Sequence, residues 1–384
     1  MRDRKRLADI LNAALFFGAV AAVFLLTVFL PKSDFSELEN RYLAEKPEFS
    51  VSEWFSGRFS ERLAEYSREH IVLRPRWISL HTLLERLSGK KEVNGVIFAG
   101  GSLFEVPEET DFSVADRSAA ALISFSESLG GRLSVMLAPT AVQIYSDRLP
   151  AFSKEPSEKK LIDRVYSKLR EGGVGAVDVY DSLYSARGDY IYYRTDHHWT
   201  TRGAYIAYSC YMRSLGYEPI PLDRIDVEHA SHSFRGSLYS KVLDDSAEPD
   251  VVDFYYSAGP SVKSVRVTSA DGTVSEHDSV IFRENLAKKD QYLSFLGENV
   301  PLIEIETDAG GGSILVIKDS YANCLVPFLC KHFGRVTVVD LRYMMRLSDY
   351  ADPSDFDRVL VLYNASGFAA DKNISKLAIE KSAE

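Results

Sequence analysis

Four consecutive positions of this chain, Asp196-His197-His198-Trp199, bring together a carboxylate, two imidazoles and an indole. An Asp two residues from a His can hold and polarise that ring, the arrangement a general base requires. Asp196 is therefore read as the orienting carboxylate and His198 as the base. His197 is placed at the edge of the site, with Trp199 packed under it. The nucleophile must come from elsewhere in the chain. Residues 312–323, Gly-Ser-Ile-Leu-Val-Ile-Lys-Asp-Ser-Tyr-Ala-Asn, read as a buried strand that breaks at Ser320 and enters a helix. A serine at a helix N-terminus sits among outward-pointing N–H groups that stabilise an oxyanion. The two stretches are expected to meet in one active site. Plainer readings stay open at this point. Asp319 or Ser320 suits an ordinary helix cap, and Asp196 with its histidines, joined by His229 or His232, has the donor types of a zinc site.

The surrounding segments alternate between helix and short apolar strand. Strands are expected at 132–137, 176–179, 314–317, 336–339 and 359–362, with helices at 114–129, 158–170, 202–215 and from Ser320 through Phe333. That rhythm predicts an α/β fold with a mostly parallel sheet. In open α/β sheets ligands bind beyond the carboxyl ends of the strands. Ser320, Arg342 and Asn364 each fall just past such an end. Asn364 is assigned an oxyanion-donating role and Arg342 a hold on a polar or anionic substrate group. Tyr321 and Trp199 are counted as further substrate-edge residues. The alternation breaks over about 220–310, where Ala270-Asp271-Gly272 marks a hairpin turn. This region is expected to be a β-rich insertion in the catalytic domain, which is placed at 93–384.

Upstream, Ala13 to Leu30 holds no charged residue and follows Arg2, Arg4, Lys5 and Arg6. Eighteen helical residues span about 27 Å, enough for the hydrocarbon core of a membrane. Residues 1–30 are read as a cytoplasmic tail and an uncleaved transmembrane anchor, with the rest exported; a cleaved signal peptide is the rival. Residues 31–92 are read as a stalk that becomes helical, with one amphipathic helix from Val51 and a second around Trp77 to Leu87. The formal net charge is −10. Without residues 1–30, 41 basic against 53 acidic residues remain, a net −12. That balance argues against nucleic acid and disfavours tight contact with anionic headgroups. Three cysteines form no framework. The chain has no phosphate-cradling glycine motif, and neither a cofactor nor a bound metal is expected.

Thr195-Asp196-His197-His198-Trp199 with Gly203-Ala204-Tyr205, and Lys318-Asp319-Ser320-Tyr321-Ala322-Asn323, resemble the signature blocks of the DHHW proteins, relatives of the alginate O-acetyltransferases of the AlgX/AlgJ type. Ser36–Arg41, Asn94-Gly95-Val96 and Tyr292–Asn299 resemble further segments of that family. The resemblance implies an SGNH-hydrolase-like three-layer fold with its sequence order rearranged, because here the Asp/His block precedes the serine block. Ser320 would be the nucleophile, His198 the base, Asp196 its partner and Asn364 the counterpart of the SGNH asparagine. Leu341-Arg342 stands where an oxyanion glycine would fall. The family pattern also implies acyl transfer, most simply of acetyl, to a cell-envelope polysaccharide, with a membrane-bound O-acyltransferase as donor partner. An esterase using the same three residues, and a non-catalytic polysaccharide-binding protein, are the alternatives.

Overall fold

The computed structural model describes residues 2–107 and 110–378. The chain divides into two compact units, one formed by residues up to Val93 with Ser240–Asp245, the other by the remainder.

The first unit opens with helix α1 (Arg2–Phe29), within which Arg4–Phe29 is long and apolar enough to be a membrane span or a signal sequence. Three further helices follow: α2 (Val51–Phe55), α3 (Arg58–Glu69) and α4 (Arg74–Leu87). The single helix expected from Val51 is interrupted at Gly57. That residue takes a left-handed φ of +81°, which glycine adopts without the Cβ clash, and it caps α3. Arg41 and Arg74 clamp Glu39, and Arg41 also reaches Glu69 at 2.8 Å, fixing the polar stretch against the helices.

The second unit is built on one eight-stranded sheet. Its strands are β3 (Leu133–Ala138), β4 (Gly175–Val177), β7 (Val262–Thr268), β8 (Val274–His277), β9 (Leu302–Thr307), β10 (Ser313–Lys318), β11 (Arg335–Val339) and β12 (Arg358–Asn364), after a separate hairpin β1 (Val96–Ala99) and β2 (Ser102–Glu105), and with a two-stranded ribbon β5 (Ile225–Phe234) and β6 (Asp250–Ser257). The order across the sheet is β8-β7-β9-β11-β10-β12-β3-β4. The five strands from β11 to β4 run parallel, while β9, β7 and β8 add antiparallel. Within the region of broken alternation, the hairpin at 262–277 extends the central sheet, while β5 and β6 pair only with each other. Strand β7 pairs in register with β9, Val267 and Val265 opposite Ile303 and Ile305, and β8 pairs with β7.

Strand β10, Ser-Ile-Leu-Val-Ile-Lys, is buried at every position because both faces of the sheet are covered. Alternate residues divide cleanly. Ile314, Val316, Val336, Val338, Leu360 and Leu362 belong to one core, with Ala204, Ala207, Tyr208 and Tyr211 of α7 (Thr201–Ser214). Leu315, Ile317, Val359, Val361, Val135 and Leu137 belong to the other. There they meet α5 (Phe112–Ser126) through Ala115, Ala119 and Leu122, and α6 (Glu158–Glu171) through Leu161, Ile162 and Val165. The two-residue strand period and the three-to-four-residue helix period thus bury the same cores.

The helix expected from Ser320 to Phe333 is instead a 3-10 turn, Ser320–Ala322, and a four-residue helix α8 (Val326–Leu329). Pro327 lies in the first turn of α8, where its missing N–H costs nothing, so the chain restarts there and does not continue from Ser320.

Candidate active site

The Asp196–Trp199 loop is held open as a tight turn between Tyr193 and α7. Tyr192 and Trp199 form an antiparallel bridge, Tyr193 N–H donates to the His198 carbonyl at 3.3 Å, and Thr200 caps α7 by accepting from Gly203 N–H. Gly203 is required by space: a Cβ there would lie 2.4 Å from the Ile191 carbonyl oxygen. The loop is also anchored from below by Asp250, wholly buried at the start of β6. Its carboxylate accepts from Arg194 N–H, Thr195 N–H and the Thr195 hydroxyl at 2.5–2.8 Å, and from the Tyr190 hydroxyl. Thr195 passes the restraint on, accepting from Gly236 N–H at 3.0 Å through its hydroxyl and from Leu238 and Tyr239 N–H through its carbonyl.

On this support three side chains fall into line. Ser320 Oγ lies 2.7 Å from His198 Nε2, and His198 Nδ1 lies 2.6 Å from Asp196 Oδ1. Asp196 also accepts from His198 N–H at 3.0 Å and, through Oδ2, from Ser237 N–H at 2.7 Å. Residues 235–237 approach so closely that a Cβ on Gly236 would stand 2.2 Å from the Asp196 side chain. Burial opposes charge on Asp196, but the two imidazoles and these donors outweigh it and hold the carboxyl well below the usual carboxylate range. Burial, then the adjacent His197, pull His198 below its ordinary value of 6.5 against the pull of Asp196. An ionised Asp196 accepting at Nδ1 fixes the proton there, leaving the Nε2 lone pair to accept from the Ser320 hydroxyl. Ser320 itself is partly exposed, whereas Asp196 and His198 are buried. The arrangement can deprotonate a serine oxygen as it attacks an electrophile.

Two further bonds tie the two motifs together, and a third joins Tyr292 to the serine. Trp199 Nε1 donates to the Tyr321 carbonyl at 2.9 Å, the Tyr321 hydroxyl donates to the His197 carbonyl, and the Tyr292 hydroxyl donates to the Ser320 carbonyl at 2.9 Å. Tyr292 also stacks flush on His198, ring centroids 3.7 Å apart and planes 10° from parallel. Sequence reasoning gave no role to Tyr292, Ser237, Gly236 or Asp250. Tyr292 stood inside a segment noted for resemblance, but nothing in its spacing connects it to a histidine 94 positions earlier.

The strand-end residues expected at the substrate edge are engaged otherwise. The Asn364 amide donates to Asp319 Oδ2 at 2.7 Å, and its oxygen caps α9 (Ala365–Ala370) by accepting from Gly367 N–H at 2.7 Å. Arg342 grips the buried Asp340 with two bonds of 2.6 and 2.9 Å. Trp199 and Tyr321 are fully buried and offer no face to a substrate. Because Ser320 opens only a 3-10 turn, no long helix dipole points at it either.

Asp196, His197 and His198 lie close enough together to suit a metal ion. They already have partners, however: Asp196 takes three hydrogen bonds, His198 Nε2 meets Ser320, and His197 Nδ1 lies 2.6 Å from Ser237 Oγ. His229 is occupied by Asp253 on the ribbon. These residues fit a proton-relay better than a ligand set.

A serine hydroxyl, an imidazole and a carboxylate therefore lie in this order within hydrogen-bond reach of one another. The chain belongs to the DHHW protein family, whose sequence profile matches residues 88–339. Among curated proteins none matches the sequence. Solved structures do. A DHHW family protein from Eubacterium siraeum DSM 15702 is 24% identical with a TM-score of 0.64, covering 74% of this chain and 95% of that one. Bacillus cereus PatB1, solved with a sulfonyl adduct, is 21% identical with a TM-score of 0.64, covering 73% and 98%. The O-acetyltransferase domain of Pseudomonas putida AlgJ is 14% identical with a TM-score of 0.47, covering 74% and 99%. The first two share this chain's fold over the parts they cover.

Proposed function

We propose that this protein is a membrane-anchored serine O-acyltransferase that moves an acyl group, acetyl in the simplest case, to a hydroxyl of a cell-envelope polysaccharide. The observation that carries the proposal is the 2.7 Å contact between Ser320 Oγ and a His198 whose other nitrogen is held by Asp196. His198 Nε2 takes the serine proton as Oγ attacks the acyl carbonyl, and returns it to the departing donor group. The acyl-Ser320 ester is then attacked by an acceptor hydroxyl, whose proton passes through His198 back to Ser320. Asp196 stays ionised and steadies the imidazolium formed in each half.

The strand order and the Asp/His block preceding the serine support an SGNH-like catalytic domain with rearranged sequence order over 93–384, following a membrane anchor at 1–30 and a helical segment at 31–92. With the basic N-terminus cytoplasmic, the second unit is extracytoplasmic and receives its acyl groups from a membrane-bound O-acyltransferase. Polysaccharide transfer is supported by the likeness of the two motifs to the alginate enzymes.

The test uses the purified full chain in detergent with an aryl acetate donor and candidate oligosaccharides. Acetylated sugar, lost in Ser320→Ala and His198→Ala, is the expected result. Acetate alone would make the protein an esterase, and turnover unchanged in both variants would remove the proposed nucleophile and base.

A further inference from the structure

Helix α4 carries an apolar face that its own unit leaves uncovered. Trp77, Leu80, Leu83, Leu84 and Leu87 are between 43% and 74% exposed. At 100° per residue they span an arc of about 120°, the width of a surface-embedded amphipathic face and not of a narrow coiled-coil seam. The opposite face is the one its unit uses: the Thr82 hydroxyl, buried, donates to the Val242 carbonyl at 2.7 Å, and Arg86 pairs with Asp244.

The position of this face is fixed relative to α1. Val72 N–H, just before α4, donates to Thr27 Oγ1 at 3.1 Å, two residues from the end of α1. Lys32 Nζ reaches back to the His70 carbonyl at 3.1 Å, and Trp77 Nε1 donates to the Val72 carbonyl at 2.9 Å. Trp77 is thus two hydrogen bonds from the last turn of the helix that fits a membrane span. The corner between them borders an open pocket of about 330 Å³ whose lining mixes Leu26, Leu30 and Ile71 with Lys32, Glu39 and Arg74. A second exposed group, Phe49, Trp54 and Phe55, with the half-buried Phe59 against Phe49 and Trp54, belongs to the same unit. Tryptophans beside the end of an apolar helix are the side chains that settle at the headgroup level.

Charge agrees. Residues 31–92 hold eleven basic and eleven acidic side chains, so the net −12 of the chain beyond residue 30 lies wholly after residue 92. From Arg74 to Lys91 five basic residues (Arg74, Arg76, Arg86, Lys90, Lys91) face one acidic, Glu85. The repulsion from anionic headgroups expected of the whole exported part does not apply to this segment.

The geometry points to α4 as an interfacial helix that lies in the surface of the bilayer crossed by α1, with Trp77, Leu80, Leu83, Leu84 and Leu87 among the lipid chains. This rests on α1 being an uncleaved span. Lipid covers the face, and the first unit is a membrane-embedded foot, not a free stalk.

The experiment uses the full chain, tagged at its N-terminus, in vesicles of phosphatidylcholine and phosphatidylglycerol with brominated acyl chains. Only Trp54, Trp77 and Trp199 are present, and Trp199 is fully buried. In a Trp54→Phe background the brominated lipid should cut the Trp77 emission by about half, as for a ring at the interface. Adding Leu80→Asp and Leu84→Asp should abolish that quenching while the tag stays in the membrane and the helical circular dichroism is kept. Leu83→Gln with Leu87→Gln serves should the acidic pair fail to fold, and should weaken the quenching. Unquenched Trp77 in an intact, membrane-held chain overturns the inference, as does quenching unchanged by either pair of substitutions. Cross-linked dimers that disappear in those variants, with Trp77 unquenched, would assign the face to a second copy and also overturn it. Loss of the tag from the mature protein would instead overturn the anchored reading.

Discussion

Two polar clusters flank Ser320, and they differ in one respect. Lys318, Asp319, Asp340, Arg342, Asn299 and Asn364 form a closed set. Lys318 Nζ meets Asn299 at 2.6 Å and Asp340 at 3.9 Å, Arg342 doubles on Asp340, and Asp319 takes both Asn364 donors. Burial pushes the Lys318 ammonium down to about 8 and raises Asp319, but their partners satisfy them. Asp196, His198 and Ser320 form an open set, in line, ending at a partly exposed hydroxyl. Buried polar groups that satisfy one another stiffen a fold, whereas a relay that ends at an accessible atom can react. The lesson is that residue type and strand-end position alone do not separate the two.

The comparison is tested most strongly at the open set. Ser320→Ala should lower acyl transfer by at least about 10³-fold, and Asp196→Asn, which disturbs the tautomer, by about 10²–10⁴-fold, both measured as kcat/KM with melting temperatures little changed for Ser320→Ala. In the closed set, Asn364→Ala should act on the fold: a stability loss of about 1–2 kcal/mol in denaturant titration through the lost α9 cap and the weakened Asp319 turn. Its kcat should fall by less than about tenfold, against the 10²–10³-fold that an oxyanion donor at this position would cost.

Tyr292 sharpens the boundary between the sets, because it touches both His198 and the Ser320 carbonyl. Tyr292→Phe keeps the stack and should lose only a few-fold in kcat, while Tyr292→Leu should lose about tenfold, since the stack is the larger restraint on the ring. The smallest effect is on pH. His198 must be neutral to act, and its folded value lies below 6.5, so the acid limb of kcat/KM should fall below pH 6.5. The sign for stability follows from the same shift. As pH drops through 6.5 the unfolded imidazole takes a proton before the folded one does, so stability declines across that window. His197→Asn removes the second cause of the lowering and should move the limb upward, by under about one pH unit.

Much of the second unit could be read in the sequence because its signals are local. Each parallel strand is a short apolar run between helices of clear period, and Asp196-His197-His198 with Ser320 was visible in residue types alone. What escaped was non-local. Antiparallel β9, β7 and β8 join the sheet through register with β11, which periodicity in one segment does not encode. The apolar run after Ser320 looks like a continuous helix until Pro327 is set against the turn actually formed. Asn364 and Arg342 stand where oxyanion and substrate residues would, yet Asp319 and Asp340 claim them, and both are partners revealed only by packing. Ser237 and Asp250 hold Asp196 and Thr195 from 41 and 55 residues away in sequence, and Tyr292 stacks on His198 from 94 away.

The central claim, that Ser320 carries the acyl group, is tested most directly by trapping the intermediate. The full chain is mixed with an activated acetyl ester, quenched in acid after a few seconds and digested for mass spectrometry. The account predicts one acetyl ester, on the peptide containing Ser320, which builds up in the wild type, vanishes on adding acceptor oligosaccharide, and is absent from Ser320→Ala and His198→Ala. Acetyl on another residue, or none while turnover proceeds, would contradict it.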